Sequence, residues 1–156
     1  MPDGNFHDRS IFRASVIYQD DRAALEWLQK AFGFETALVI TDDSDEIVHA
    51  EMKYRGALVM IAREFTADVK SPKSMGGKNT QMLHIQVDTD IDAHYARARA
   101  AGATVIAEPS DQFYGDRSYR VMDPEGHIWV FSQTMKVMSI EEMEKAAGGL
   151  KLRETL

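Results

Sequence analysis

Five histidines and no cysteine set the chemistry open to this 156-residue chain. The segment from Met82 to Val87 reads as a strand, and the two-residue strand period puts Met82, His84 and Gln86 on one face of it. His49 and Glu51 share a strand face in the same way. An imidazole and a carboxylate can hold a divalent cation together. A metal site built from His84, His49 and Glu51 would need strands from separate segments to converge, and a single strand histidine is ordinarily a hydrogen-bonded group. His7, His94 and His127 fall in the leading segment, on a helix face and beside a turn, and all three are expected as solvated surface. The lack of cysteine removes thiol catalysis, zinc fingers, iron–sulfur ligation and disulfide scaffolds. No serine-nucleophile motif or dinucleotide fingerprint occurs. Gly76-Gly77-Lys78-Asn79-Thr80 has the composition of a phosphate loop without its spacing.

The elements that would carry these residues come in two sets. Phe12 to Tyr18 reads as a strand, Ala23 to Phe32 as a helix with Ala24, Leu25, Leu28, Ala31 and Phe32 on one face, and Gly33 as its stop. Three strands are expected at Glu35 to Ile40, Ile47 to Tyr54 and Ala57 to Arg63. The polar segment from Glu64 to Thr80, with Pro72 and Gly76-Gly77, reads as a linker or a mobile flap. The same order then returns: strand Met82 to Val87, helix Ala93 to Ala101, Gly102, and strands Thr104 to Ala107, Ser118 to Met122 and Ile128 to Gln133. Gly33 and Gly102 are 69 residues apart, Tyr18 and Val87 are 69 apart, and Gly56 and Gly126 are 70 apart. This periodicity predicts two copies of strand–helix–three strands. Neither copy would bury its apolar faces well alone, so the two are expected to pair into one domain over 1–156: module one at 11–64, a linker at 65–80, module two at 81–134 and a helical tail at 139–148. In the tail, Ser139-Ile140-Glu141-Glu142 is a capping box, and Ile140 and Met143 give the helix a small apolar face to dock on the domain or on a partner chain.

Composition narrows the classes. Hydrophobic residues make up 44% and charged residues 28%, a globular balance. The formal charge of −7 disfavours a nucleic-acid partner. The first ten residues lack the apolar centre of a signal peptide. Stretches such as Ala57 to Ala62 fall far short of the ~20 residues that span a bilayer. The reading is a cytoplasmic protein with no membrane partner.

The segment Tyr114-Gly115-Asp116-Arg117-Ser118-Tyr119-Arg120-Val121-Met122-Asp123-Pro124-Glu125-Gly126-His127-Ile128-Trp129 is similar to the closing segment of many glyoxalase-like proteins. Asp92-Ala93-His94-Tyr95-Ala96-Arg97-Ala98, Ala31-Phe32-Gly33-Phe34 and Ser139-Ile140-Glu141-Glu142-Met143 add to the likeness. Together with the repeat, these residues resemble the vicinal oxygen chelate superfamily, the group of glyoxalase I, extradiol dioxygenases and bleomycin-resistance proteins. The resemblance implies an α+β fold: two tandem βαβββ modules with U-shaped mixed sheets enclosing a cavity, plus the C-terminal helix. It also implies pairing into a homodimer.

In metal-using members the resemblance implies four ligands, on the first and last strand of each module. The equivalent positions here are Arg13 and Met82, five residues before Tyr18 and Val87, and Met60 and Val130, four residues after Gly56 and Gly126. None is His, Glu or Gln. A guanidinium repels a cation, and a thioether is a poor ligand for a hard one. No metal and no cofactor is therefore expected. The expected function is metal-free binding of a small organic ligand, with Arg13, Met60, Met82, His84, Gln86 and Val130 as the cavity-facing candidates. The alternatives are a divalent-metal-dependent lyase, isomerase or dioxygenase of the same superfamily, and a structural or regulatory dimer module. No catalytic residue is assigned, and whether the chain is an enzyme stays open.

Overall fold

The computed structural model describes residues 12–155. The chain divides into two compact units, one ending at Lys78 and the other beginning at Asn79.

In the first unit, strand β1 (Ala14–Tyr18) leads to helix α1 (Asp21–Phe32), then to β2 (Glu35–Thr41), β3 (Ile47–Tyr54) and β4 (Ala57–Arg63). The helix begins two residues before the expected start because Asp20 caps it, its carboxylate accepting the Ala23 N–H at 2.9 Å. It ends at Gly33, whose φ of 74° is the left-handed turn that releases a chain from a helix. Ala24, Leu25, Leu28, Ala31 and Phe32 are buried, the stripe the sequence spacing predicts. The sheet order is β1-β4-β3-β2, with β1 parallel to β4 and the other pairs antiparallel. Val16, Ile61, Ala50 and Met52 are fully buried and line the face under α1.

The segment expected as a linker or flap is fastened to this unit. Ser71 and Pro72 are buried, and residues Pro72–Met75 form a short 3₁₀ turn. Glu64 accepts from the Ser71 N–H at 2.9 Å and pairs with Lys70 at 3.1 Å, while Gln19 donates to the Ser74 hydroxyl at 2.7 Å. A hydrogen bond from Ser74 to Glu64 first, and then the Ser71 N–H and Lys70, hold the Glu64 carboxyl below its ordinary pKa.

The second unit repeats the plan with β5 (Met82–Gln86), α2 (Ile91–Ala100), β6 (Thr104–Asp111), β7 (Asp116–Met122) and β8 (Ile128–Thr134), in the sheet order β5-β8-β7-β6. Strand β6 runs through Pro109, past the end at Ala107 that the sequence suggests. It does so as an edge strand with register shifts on both sides of Ala107, which is where a sheet tolerates a proline. Tyr119, Val121, Trp129 and Phe131 are fully buried on the α2 side. Helix α3 (Ile140–Ala146) has the capping box in full, with Ser139 accepting from the Glu142 N–H at 3.2 Å and Glu142 accepting from the Ser139 N–H at 2.9 Å. Ile140 and Met143 remain partly exposed, and none of its residues is buried. Among the described residues no helix is long and apolar enough to cross a membrane.

Candidate functional site

Strand alternation sorts every candidate residue. In the first sheet the helix side takes Val16 and Ile61, so Ser15, Met60 and Glu51, which lie in one cross-strand row, take the other. Arg13, just ahead of β1, continues the alternation on that side. Ser15 Oγ donates to Met60 Sδ at 3.9 Å. Glu51 is buried, with 5% of its surface exposed, yet no helix covers its side. His49 Nε2 lies 3.0 Å from Glu51 Oε1, an N–H donating to a carboxylate, and Arg13 Nη1 lies 3.9 Å from the same oxygen. His49 and Glu51, which share a strand face, thus meet each other, and Arg13 joins them. The Glu51 charge is already paired with a guanidinium, which offsets part of the cost of burying a carboxylate.

In the second sheet Trp129 and Phe131 take the α2 side, so Met82, His84 and Gln86 of β5 and Val130 of β8 take the opposite one. The partner of Val130 on β5 is His84, while Met82 pairs with Ile128. Gln86 donates to Thr134 Oγ1 at 3.0 Å and accepts from Ser132 Oγ at 3.3 Å. His84 and Met82 are exposed, and Val130 is buried.

The His84–Val130 row continues to Arg120 on β7, a residue that sequence reasoning left inside a turn-and-strand motif. The available signal was its place between Tyr119 and Val121: once those two face the helix, alternation puts Arg120 on the other side. Its Nε atom is shielded from solvent and has no hydrogen-bond partner among the described residues.

Of the two histidines expected at the surface among the described residues, one is buried and the other is half-buried. His127 is buried, and its Nδ1 lies 3.0 Å from Asp123 Oδ2. His94 packs against Phe131, and its Nδ1 is 2.6 Å from the Tyr119 hydroxyl. Both fill structural positions because each stands next to a buried polar group that needs a partner. His7 lies outside the described residues.

A cleft of about 420 Å³ opens elsewhere in the first unit, at the start of α1. Its charges are committed to one another: Arg22 pairs with Asp45 at 3.3 Å, and Arg63 pairs with Glu46 and with Asp21, the latter at 3.1 Å. These acids hold the Arg63 guanidinium above its ordinary pKa.

For a divalent metal, the donors at the implied positions do not fit. Arg13, Met60, Met82 and Val130 offer no anionic oxygen and no imidazole nitrogen. Glu51, the nearby carboxylate, is bound to His49 and Arg13. Among the described residues no group of three or more His, Asp or Glu side chains is placed to share one ion.

Comparison with known proteins supplies the context. Residues 10–131 match the profile of the Glyoxalase/Bleomycin resistance protein/Dioxygenase superfamily. An uncharacterised protein of Mycobacterium tuberculosis, Rv0887c, is 30% identical over 135 residues, 84% of this chain and 78% of its own. The crystal structure of TioX from Micromonospora sp. ML1 is similar at 30% identity and a TM-score of 0.62, across 80% of this chain and 98% of TioX. The fosfomycin resistance protein FosX from Listeria monocytogenes shares the fold at 16% identity and a TM-score of 0.61, across 86% of this chain and 97% of FosX.

Proposed function

We propose that this chain, which belongs to the Glyoxalase/Bleomycin resistance protein/Dioxygenase superfamily, is a metal-independent binding protein for a small organic molecule. Membership alone does not choose between binding and catalysis, because one fold hosts many chemistries. The observation that carries the choice is the donor set. The four implied ligand positions hold a guanidinium, two thioethers and an isopropyl group. Methionines beside Ser15, His84 and Gln86 suit an apolar ligand body with a few polar contacts. The protein acts in the cytoplasm as a homodimer in this reading, and light scattering that returns a single-chain mass at micromolar concentration refutes the pairing.

Two measurements test the function. A thermal-unfolding screen against anionic, cationic and neutral small molecules should find ligands that raise the midpoint, because a ligand bound to the native state stabilises it by mass action. Elemental analysis of dialysed protein should find well under one equivalent of Zn, Ni, Mn or Fe per chain, and chelator should leave the midpoint unchanged. Near-stoichiometric metal that is lost on His84→Ala would overturn the binding reading in favour of a metal-dependent enzyme.

A further inference from the structure

We propose that the helix-free face of the second sheet binds an amphipathic organic carboxylate, with Arg120 as the anion-binding residue. The proposal rests on the binding function above and names the ligand's chemical class. Its starting point is the shielded, partnerless Nε of Arg120. A buried polar donor without a partner is costly, and it calls for an explanation where it occurs. Among the described residues the Arg120 side chain makes no hydrogen bond and no ion pair. Shortage of acids does not explain this, since the chain has 25 acidic residues against 18 basic ones.

The neighbouring acids are spoken for or distant. Asp92 and Asp111 hold Arg117, at 2.9 and 3.0 Å. Glu108 accepts from the Tyr95 hydroxyl on the helix side. Asp123 is the hub of the β7–β8 turn. On the same face of β7, Asp116 stands four residues away, about 13 Å along a strand. The other shielded orphan atom, Asp21 Oδ2, is a different case, because its carboxylate already carries the Arg63 ion pair.

The surroundings say what the anion is attached to. Arg120 faces Val130 and then His84 across the sheet. The adjacent row on that face is Met122, Ile128 and Met82, an apolar strip that begins about 7 Å along the strands. The Nε–H and one Nη–H of a guanidinium form two parallel donors that match the two oxygens of a planar carboxylate. A carboxylate on Arg120 would satisfy the orphan donor, and an apolar body about one ring long would reach the methionines.

The test uses the full chain and four acids: phenylacetate, 4-phenylbutyrate, 2-naphthylacetate and octanoate. Each is titrated beside its own primary amide by calorimetry, and the bound face is mapped by backbone-amide NMR. At least one acid should bind about tenfold or more tightly than its amide, the usual scale for a hydrogen bond to a charged group. The NMR shifts should gather on β5, β7 and β8. Arg120→Gln should erase the preference for the acid, and Arg120→Lys should keep part of it. The comparison of acid with amide on the unaltered protein stands even if a variant fails to fold. If no acid exceeds its amide, or if the preference survives Arg120→Gln, the carboxylate assignment is overturned. Neutral or cationic ligands from the thermal screen would in that event still support small-molecule binding. If nothing in either set binds, both readings fall.

Discussion

Asp42 and Asp123 perform the same task in two hairpins, one in each unit. Each stands at the first position of a turn of matching geometry. Oδ1 of Asp42 accepts from the N–H groups of Ser44 and Glu46, and Oδ1 of Asp123 accepts from those of Glu125 and His127. The turns close alike, Asp45 N–H to Asp42 O at 3.1 Å and Gly126 N–H to Asp123 O at 3.0 Å. The difference is the setting. Asp42 is exposed, whereas Asp123 is 3% exposed and also takes the Trp129 indole N–H at 3.0 Å and the His127 ring. One local device, read from the same Asp-led turn chemistry, is a solvent-facing clasp in the first unit and a core polar hub in the second.

Asp123→Ala is therefore expected to have the largest effect on stability. It strands two backbone N–H groups and an indole N–H away from water, each worth about 1–3 kcal/mol, for a total of about 4 kcal/mol or more. Denaturant unfolding measures it. A loss no greater than that of Asp42→Ala would erase the distinction drawn between the two turns.

A third turn sharpens the same comparison. Gln112 to Asp116 in the second unit closes as Asp42 to Glu46 does in the first, with Gly115 at φ 95° where the first unit has Asp45 at φ 62°. The first unit accommodates a side chain there. The second cannot, because a Cβ on Gly115 would sit 2.1 Å from the carbonyl oxygen of Lys136. Gly115 O also accepts the N–H groups of Met135 and Lys136, so the clash cannot be relieved without breaking them. Gly115→Ala should cost about 2–3 kcal/mol, while Asp45→Ala, with solvent around it, should move the unfolding midpoint far less. Equal midpoint shifts for the two variants would refute the steric account.

The smallest expected effect is the pH dependence of Asp42. The Ser44 hydroxyl first, and then the backbone N–H groups of Glu46 and Ser44, hold its carboxyl below the ordinary value of 3.8. A depressed folded-state pKa contributes stability above the unfolded value and loses it as pH falls through the folded one. Asp42→Ala should accordingly be slightly less stable than the parent at pH 7, and the gap should close as pH drops below 3.8. A gap independent of pH would mean that the turn is held by its backbone bonds alone.

The faces turned away from the helices differ between the units even more than the turns do. Glu51 in the first sheet is held by His49 and Arg13, while Arg120 in the second makes no ion pair among the described residues. The helix-facing residues must fill a core, which keeps the two copies alike in topology. On the opposite faces, where Glu51 and Val130 are also buried, the two copies carry different side chains.

The amino-acid order by itself determined the duplication, the strand and helix sequence, and the alternation that separates Met82, His84 and Gln86 from Leu83 and Ile85. Those are local properties: side-chain period, glycine at left-handed positions, and acids that cap turns and helices. What the amino-acid order left undecided was which groups meet across strands. Whether Asp123 or Asp42 is buried, how far His94 and His127 are buried, that Arg13 joins His49 on Glu51, and that Arg120 stands beside Val130 without a partner among the described residues are facts of register and packing between distant segments. They were settled when β7 paired with β8 and the helices closed over one face of each sheet.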